Sequence, residues 1–252
     1  FSDLHVRLFK DHDLYKQILI QALSEWKDLK PDRIVFTGDL VHSKNQMTPE
    51  LVEFVAWILT ECANITKTIL IPGNHDFLVN NIDRLDALSP IIDSLNNKNI
   101  VYYKDRGVYE DENVSWCVYS QYQGNIPPEI TEANGRRIGL FHGPISGLKT
   151  DLGFEFGEEA YEIEKFDGLE TVLCGDIHKR AEFQIKGGKG YMIGSTIQNN
   201  IGESIGRHGY GVYDVETKEY TYTDLFNPKP FLKFSIKSFE DIENGTEKLQ
   251  NI

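Results

Sequence analysis

Five short clusters along the chain carry residues able to bind divalent cations: Asp3-Leu4-His5, Gly38-Asp39, Gly73-Asn74-His75-Asp76, His142-Gly143 and Gly175-Asp176-Ile177-His178. A mixed set of carboxylate, imidazole and amide ligands suits Mn²⁺, Fe²⁺ or Zn²⁺ better than Ca²⁺. An Asp-x-His on an extended segment turns both side chains to one side, so that Asp3 and His5 can reach one ion. Asp39 has two carboxylate oxygens to divide between two ions. Ions roughly 3.5 to 4 Å apart clamp a phosphoryl group and lower the pKa of a water. The chemistry this set permits is metal-assisted hydrolysis of a phosphate ester. A single Asp-x-His or Gly-Asp is commonplace and most often structural; it is the ordered combination with Pro72-Gly73-Asn74-His75-Asp76 that is specific.

Four of the clusters closely follow apolar runs: Ile34 to Phe36, Thr68 to Ile71, Ile138 to Phe141 and Thr171 to Cys174. That places them where strands end and loops begin. Only Phe1 and Ser2 precede the first cluster, and a strand leading into Asp3 is expected upstream. Residues 13 to 29 read as an amphipathic helix, with Leu14, Ile18, Ala22, Trp26 and Leu29 in step and Pro31 beyond. A second helix is expected from Pro49 to about Ala63, and a third between Asp83 and Leu95, interrupted or restarted near Pro90. Strands at 33 to 36, 67 to 71 and 100 to 103 alternate with these helices. The texture then changes to short strands at 114 to 119, 138 to 141, 171 to 174, 182 to 185, 191 to 193, 211 to 213 and 219 to 223. The fold class is therefore α/β (α+β), a two-sheet β-sandwich flanked by helices. Residues 1 to 227 form one domain. Residues 228 to 252 are expected to form a linker, signalled by Asn227-Pro228-Lys229-Pro230, and the beginning of a capping domain that starts with Phe231 to Ile236.

The 252 residues are 40% hydrophobic and 26% charged, enough for a substantial core. No apolar stretch approaches the ~20 residues of a membrane span, and no signal-peptide pattern opens the chain. Cys62, Cys117 and Cys174 are odd in number and widely spaced in apolar context, which predicts buried free thiols and a cytoplasmic location. The net charge of −13 by itself argues against nucleic acid. Cations bound by the carboxylates reverse that argument locally, because a metal pair attracts a phosphodiester. The acidic run from Glu155 to Glu164 reads as a solvated face.

These motifs resemble the calcineurin-like metallophosphoesterase superfamily, and within it the SbcD-type DNA-repair nuclease subunit, over nearly all of residues 1 to 236. Three features carry the closer resemblance. Gly38-Asp39-Leu40-Val41-His42 is similar to the branch's second motif, including the extra His. Gly194-Ser195-Thr196-Ile197-Gln198-Asn199-Asn200-Ile201-Gly202-Glu203 is similar to its Gly-Ser-x-x-Gln-x-x-x-Gly-Glu stretch. The strand-rich close at Asn227-Pro228 and Pro230-Phe231 resembles the junction with a small capping domain. The resemblance implies one ion on Asp3, His5, Asp39 and His178 and a second on Asp39, Asn74, His142 and Asp176, with Mn²⁺ foremost and Mg²⁺, Fe²⁺ or Zn²⁺ as the others. It implies that His75 faces the scissile phosphate, with Asp76 orienting its ring, and that His42 positions DNA. It also implies exonuclease and single-strand or hairpin endonuclease activity, a homodimer built through helices near 49 to 63 and 83 to 95, and an SbcC-like ATPase partner in DNA repair or recombination.

Two positions depart from that pattern. The family's last motif is usually Gly-His-x-His, and Asp176 stands for its first His; a carboxylate still ligates and favours harder ions. Arg7 replaces a usual Gly and is expected to point to solvent. A phosphomonoesterase, a cyclic-nucleotide phosphodiesterase and a catalytically silent scaffold are the alternatives. Protein phosphatases are disfavoured by Asp76 in place of Glu and by the lack of Asp-Arg-Gly after Asp39. His12 reads as an exposed neighbour of a helix cap, His208 as a loop residue, Lys186 to Gly190 as a hairpin turn, and Tyr102, Tyr103 and Trp116 as core aromatics.

Overall fold

Apolar residues at helical spacing make the first helix two-faced. In the computed structural model, which describes residues 1–7 and 9–233, α1 spans His12–Leu29 and buries Tyr15, Ile18, Leu19, Ala22, Leu23 and Trp26. It ends at Lys30, whose left-handed backbone (φ 53°) closes the last turn. Helix α2, Pro49–Ile65, begins where the Thr48 hydroxyl accepts the Leu51 N–H at 3.3 Å and Pro49 occupies a first-turn position that needs no N–H. The third helix, α3, is only Ser89–Leu95. The Asp86 carboxylate accepts the N–H groups of Leu88 (2.9 Å) and Ser89 (2.6 Å), and this local bonding replaces the helical turn expected before Pro90.

Between these helices run the parallel strands β1 (Arg33–Phe36), β2 (Lys67–Leu70) and β3 (Ile100–Tyr102), in the order β1-β2-β3. The second sheet contains β4 (Gly107–Asp111), β5 (Val114–Tyr119), β6 (Arg136–His142), β7 (Thr171–Gly175), β8 (Ala181–Ile185) and β9 (Gly188–Met192), in the order β4-β5-β6-β7-β9-β8. Its central strands are parallel and its two edges antiparallel. β10 (Gly209–Tyr213) and β11 (Tyr220–Asp224) form an antiparallel pair. The sequence did not mark β4, whose charged and polar residues lie at the sheet edge. Lys186-Gly187 makes the β8–β9 hairpin turn, with Gly187 at φ 113°, as its composition suggests.

Strand alternation divides the core into layers. Ile34, Phe36 and Leu70 face α1 and α2, while Ile69 and Ile71 face the second sheet. There they meet Val114, Trp116 and Val118 of β5, Ile138 and Leu140 of β6, and Leu173 of β7. The far face of that sheet, with Cys117, Tyr119, Phe141, Val172 and Cys174, is covered by Ile145, Phe166 and Leu169. The central strands β2, β5, β6 and β7 are thus buried on two faces, which explains their near-continuous apolar runs. Cys62, Cys117 and Cys174 are buried and unpaired with one another, as the spacing predicts. Tyr103 and Trp116 are core residues and Tyr102 is half-buried. The run from Glu155 to Glu164 is largely exposed. Among the described residues no helix is long and apolar enough to cross a membrane. The expected capping segment lies outside the described residues beyond Lys233.

At the N-terminal ends of β1 and β2, Asp111 ties the two sheets together. Its carboxylate accepts Arg33 Nε at 2.6 Å and Nη2 at 2.8 Å, and Lys67 Nζ at 2.8 Å. The Arg33 guanidinium foremost holds this acid well below the usual carboxylate range, against the effect of burial. A depressed native pKa gives stability that is full above the unfolded value, near 3.9, and is lost as pH falls through the native one. Asp111→Asn is therefore expected to cost about 2–3 kcal/mol at pH 7 in urea titrations. The gap to the parent should narrow below about pH 4; a gap constant with pH would count against this ion pair.

Candidate metal centre

All five clusters meet at the C-terminal ends of the parallel strands. Register does this: Phe36 pairs with Leu70, which sets Gly38-Asp39 beside Gly73-Asn74, and His142 pairs with Gly175, next to Asp176. The approach is close enough to require glycine. A Cβ at Gly73 would lie 2.2 Å from Asp39 Oδ1, and one at Gly175 would lie 2.3 Å from Ser2 Oγ. Gly73→Ala must therefore displace Asp39. Because a misplacement of about 1 Å costs on the order of 10²-fold in rate, the phosphate-ester hydrolysis that the donor set permits should fall by about that factor while circular dichroism is unchanged.

The backbone at the site is unusual. Asp3 (φ 49°), His5 (φ 47°), Asp39 (φ 61°) and Asp176 (φ 95°) all occupy positive φ. The extended geometry expected for Asp3-Leu4-His5 is not adopted; instead the Asp3 N–H donates to the Gly38 carbonyl (3.0 Å) and the His5 N–H to that of Asp39 (2.9 Å). Non-glycine residues held at positive φ cost about 1–3 kcal/mol each and gather at functional sites.

The side chains form two groups that share Asp39. On one side, His5 Nε2 lies 3.4 Å from Asp39 Oδ2, 3.9 Å from Asp3 Oδ1 and 3.0 Å from His178 Nε2. On the other, His142 Nε2 lies 3.3 Å from the same Asp39 oxygen, 3.1 Å from Asn74 Oδ1 and 3.7 Å from Asp176 Oδ1. Two ring orientations are fixed from behind. His142 Nδ1 donates to the Thr37 carbonyl (2.6 Å) and His178 Nδ1 to Glu203 Oε1 (2.7 Å), leaving both Nε2 lone pairs aimed inward. His5 is placed by packing, its ring centroid 4.7 Å from that of His75 and 4.9 Å from that of His178.

This donor set fits divalent cations. Asp3 and Asp39 are buried, and among the described residues no Lys or Arg pairs with either. Buried carboxylates need compensating charge. In its absence two imidazoles are driven to take protons: burial opposes protonation at both, yet Asp39 raises His142 well above its ordinary range, and Glu203 with Asp3 pushes His178 up to about 9. Burial raises Asp176 to about 6 and lowers His5. Two imidazole nitrogens 3.0 Å apart, each facing carboxylates, suit a cation between them better than two protons. Residue triads Asp3-His5-His178 and Asp3-Asp39-His142 each bring their donor atoms within 4.8 Å of one another.

His75 and His42 lie alongside, their rings stacked at 5.5 Å. His75 Nδ1 donates to the His42 carbonyl at 2.7 Å. Asp76 does not orient that ring, which corrects the role implied by its position next to His75. Its side chain turns the other way, is fully buried, and accepts four backbone N–H groups: Gly73 (2.9 Å), Asp39 (2.9 Å), Leu40 (3.0 Å) and Val41 (3.2 Å). Burial and the Asp39 charge push its pKa up, to about 7; the four donors oppose this and require the carboxylate. Arg7 is half-buried rather than in solvent and donates to the Asn199 carbonyl (3.2 Å). His12 is likewise held, 2.8 Å from the Arg7 carbonyl, and the Asp11 side chain makes no cap bond. His208 is a buried loop residue bonded to Ser195 Oγ and the Ser204 carbonyl. The motifs gave no role to Thr37, Glu203 or Lys44, whose Nζ donates to the Asn74 carbonyl at 2.7 Å. Only Glu203 carried a signal, as the last residue of the Gly194 to Glu203 stretch.

A family model described as calcineurin-like phosphoesterase matches residues 1–180. An uncharacterized protein of Acanthamoeba polyphaga mimivirus is 34% identical over 228 residues, covering 84% of this chain; the chain spans only 16% of that protein. Among solved structures, a phosphopantetheinyl hydrolase from Mycobacterium tuberculosis is similar at a TM-score of 0.46 and 13% identity, over 77% of this chain and 87% of that one. The Pseudomonas putida nuclease MPE is similar at 0.35 and 16% identity, over 57% and 60%. The matched segment contains all five clusters, and the chain belongs to the calcineurin-like phosphoesterase family of metal-dependent phosphoester hydrolases.

Proposed function

We propose that this chain is an SbcD-type DNA nuclease domain that hydrolyses phosphodiesters with two divalent cations, Mn²⁺ foremost. The observation that carries the reading is the shared Asp39 oxygen, 3.4 Å from His5 and 3.3 Å from His142, with His75 and His42 beside it. Asp3, His5, Asp39 and His178 would hold one cation; Asp39, Asn74, His142 and Asp176 would hold the other. When bound, such ions polarise the phosphoryl oxygens and make a water a better nucleophile at neutral pH.

The chain's own groups do the rest. Asp39 holds the two halves in register, and its Oδ1 accepts the His75 N–H at 2.7 Å, fixing the loop that carries His75. With Nδ1 committed to the His42 carbonyl, His75 keeps Nε2 for the scissile phosphate or for a proton delivered to the leaving oxygen. His42, stacked on it, is placed to position the DNA strand. The Gly194 to Glu203 stretch supports the SbcD-type branch, because it folds against His178 rather than away from the site. A homodimer and an SbcC-like ATPase belong to the same reading.

The test uses hairpin and single-stranded circular DNA, bis-p-nitrophenyl phosphate and p-nitrophenyl phosphate, each with Mn²⁺ or with EDTA. DNA and diester cleavage are expected with Mn²⁺ and should vanish in EDTA. Monoester hydrolysis without DNA cleavage would replace the nuclease with a phosphomonoesterase.

A further inference from the structure

We propose that Glu203 is a positioning residue that sets the affinity of one cation position through the His178 ring, an inference that rests on the metal-centre reading above. The Glu203 side chain is 6% exposed, and its carboxylate is surrounded by donors. Oε1 accepts His178 Nδ1–H at 2.7 Å and Asn200 Nδ2–H at 2.6 Å; Oε2 accepts the Asn199 N–H at 2.7 Å and the Ser195 hydroxyl at 3.4 Å. Among the described residues no Lys or Arg pairs with it. The ring it hydrogen-bonds is that of His178, whose other nitrogen lies 3.0 Å from His5 Nε2 and 3.9 Å from Asp3 Oδ1.

A carboxylate behind an imidazole fixes the tautomer, aligns the ring and makes the far nitrogen a better donor to a metal, an effect usually worth about 10–100-fold in affinity. This gives the Gly194 to Glu203 stretch a physical task. Ser195 and Asn199 hold the carboxylate from below, and Gln198 Nε2 donates to the Glu203 carbonyl at 3.2 Å, anchoring the loop without using the Glu203 side chain. Because the carboxylate also accepts the Asn199 N–H and the Asn200 amide, the melting temperature of each variant is needed to tell ring support from loop support.

Calorimetric titration of the protein with Mn²⁺ tests the proposal, alongside Glu203→Gln, Glu203→Ala and the melting temperature of each metal-free variant. The wild type should bind two ions. In both variants one of the two sites should weaken by about 10–100-fold while the other is unchanged. Two sites of wild-type affinity in both variants would overturn the role of Glu203 and leave the metal centre standing. Equal weakening of both sites with a lowered melting temperature would mean that the residue only holds the loop, and would overturn it too. A wild type that binds no Mn²⁺ would sink the metal centre itself.

Discussion

On the proposed function, Asp39→Ala should abolish phosphodiester hydrolysis and, with it, the stabilisation expected from Mn²⁺. One Asp39 oxygen lies within 3.4 Å of imidazole nitrogens from both halves of the site, and the other anchors the His75 backbone at 2.7 Å. Asp3 also borders both groups, but its Oδ1 lies 3.9 Å from the His5 and His178 nitrogens, farther than the Asp39 oxygen. Electrostatic stabilisation by bound cations is worth several kcal/mol, and each 1.4 kcal/mol is tenfold, so the rate on bis-p-nitrophenyl phosphate should fall by at least about 10³-fold. Ligand linkage supplies a second readout. A cation at 100 times its Kd raises stability by about 2.7 kcal/mol, so the parent's melting temperature should rise on adding Mn²⁺, while that of Asp39→Ala should not. A variant that retains either the activity or the Mn²⁺ shift would remove Asp39 from the centre.

Asp76→Ala should be the most destabilising single change at the site. The carboxylate is fully buried and is the common acceptor for four backbone N–H groups, at 2.9 to 3.2 Å, drawn from two loops. Alanine would leave those donors buried and unsatisfied. Hydrogen bonds to a charged acceptor contribute about 1.5–3 kcal/mol each, and partial relaxation will recover some of the loss. A decrease of about 3–5 kcal/mol in urea denaturation of the metal-free protein is the expected result. Asp76→Asn keeps one acceptor oxygen and should fall between the two. A loss under about 1 kcal/mol would show that water or a loop shift satisfies the donors. Because Asp76 makes no contact with the His75 ring, any activity lost in Asp76→Asn should track the displacement of Asp39.

The two positions illustrate what local reading can do. Asp39 stood out in the sequence only through the ordered His and Asn motifs that follow it, since a Gly-Asp by itself is commonplace, and the structure sets its carboxylate between His5 and His142. Asp76 was identifiable only as part of a motif, and its position next to His75 suggested the wrong partner. Neighbours in sequence at a sharp turn point in different directions, and which way Asp76 points is decided by N–H groups on the Asp39 loop, 35 to 37 positions away. The left-handed backbone of Asp3 and His5 was equally hidden, since neither is a glycine and the hydrogen bonds that hold them come from Gly38 and Asp39.

Helices α1 and α2 and most strands followed from periodicity, because a helix face or a strand buried on both sides imposes its pattern on consecutive residues. The start of α3 did not, since one side chain, Asp86, diverted the preceding turn, and β4 did not, since an edge strand need not be apolar. By itself the sequence determined the types of candidate donor side chains, their order and their place after strands, all properties of short segments. Only the tertiary structure decided which oxygens and nitrogens share Asp39, which carbonyls and carboxylates fix the rings, and that Glu203 stands behind His178, 25 positions away. These contacts exist only when parallel strands bring their ends together, and no local pattern encodes the partner across such a gap.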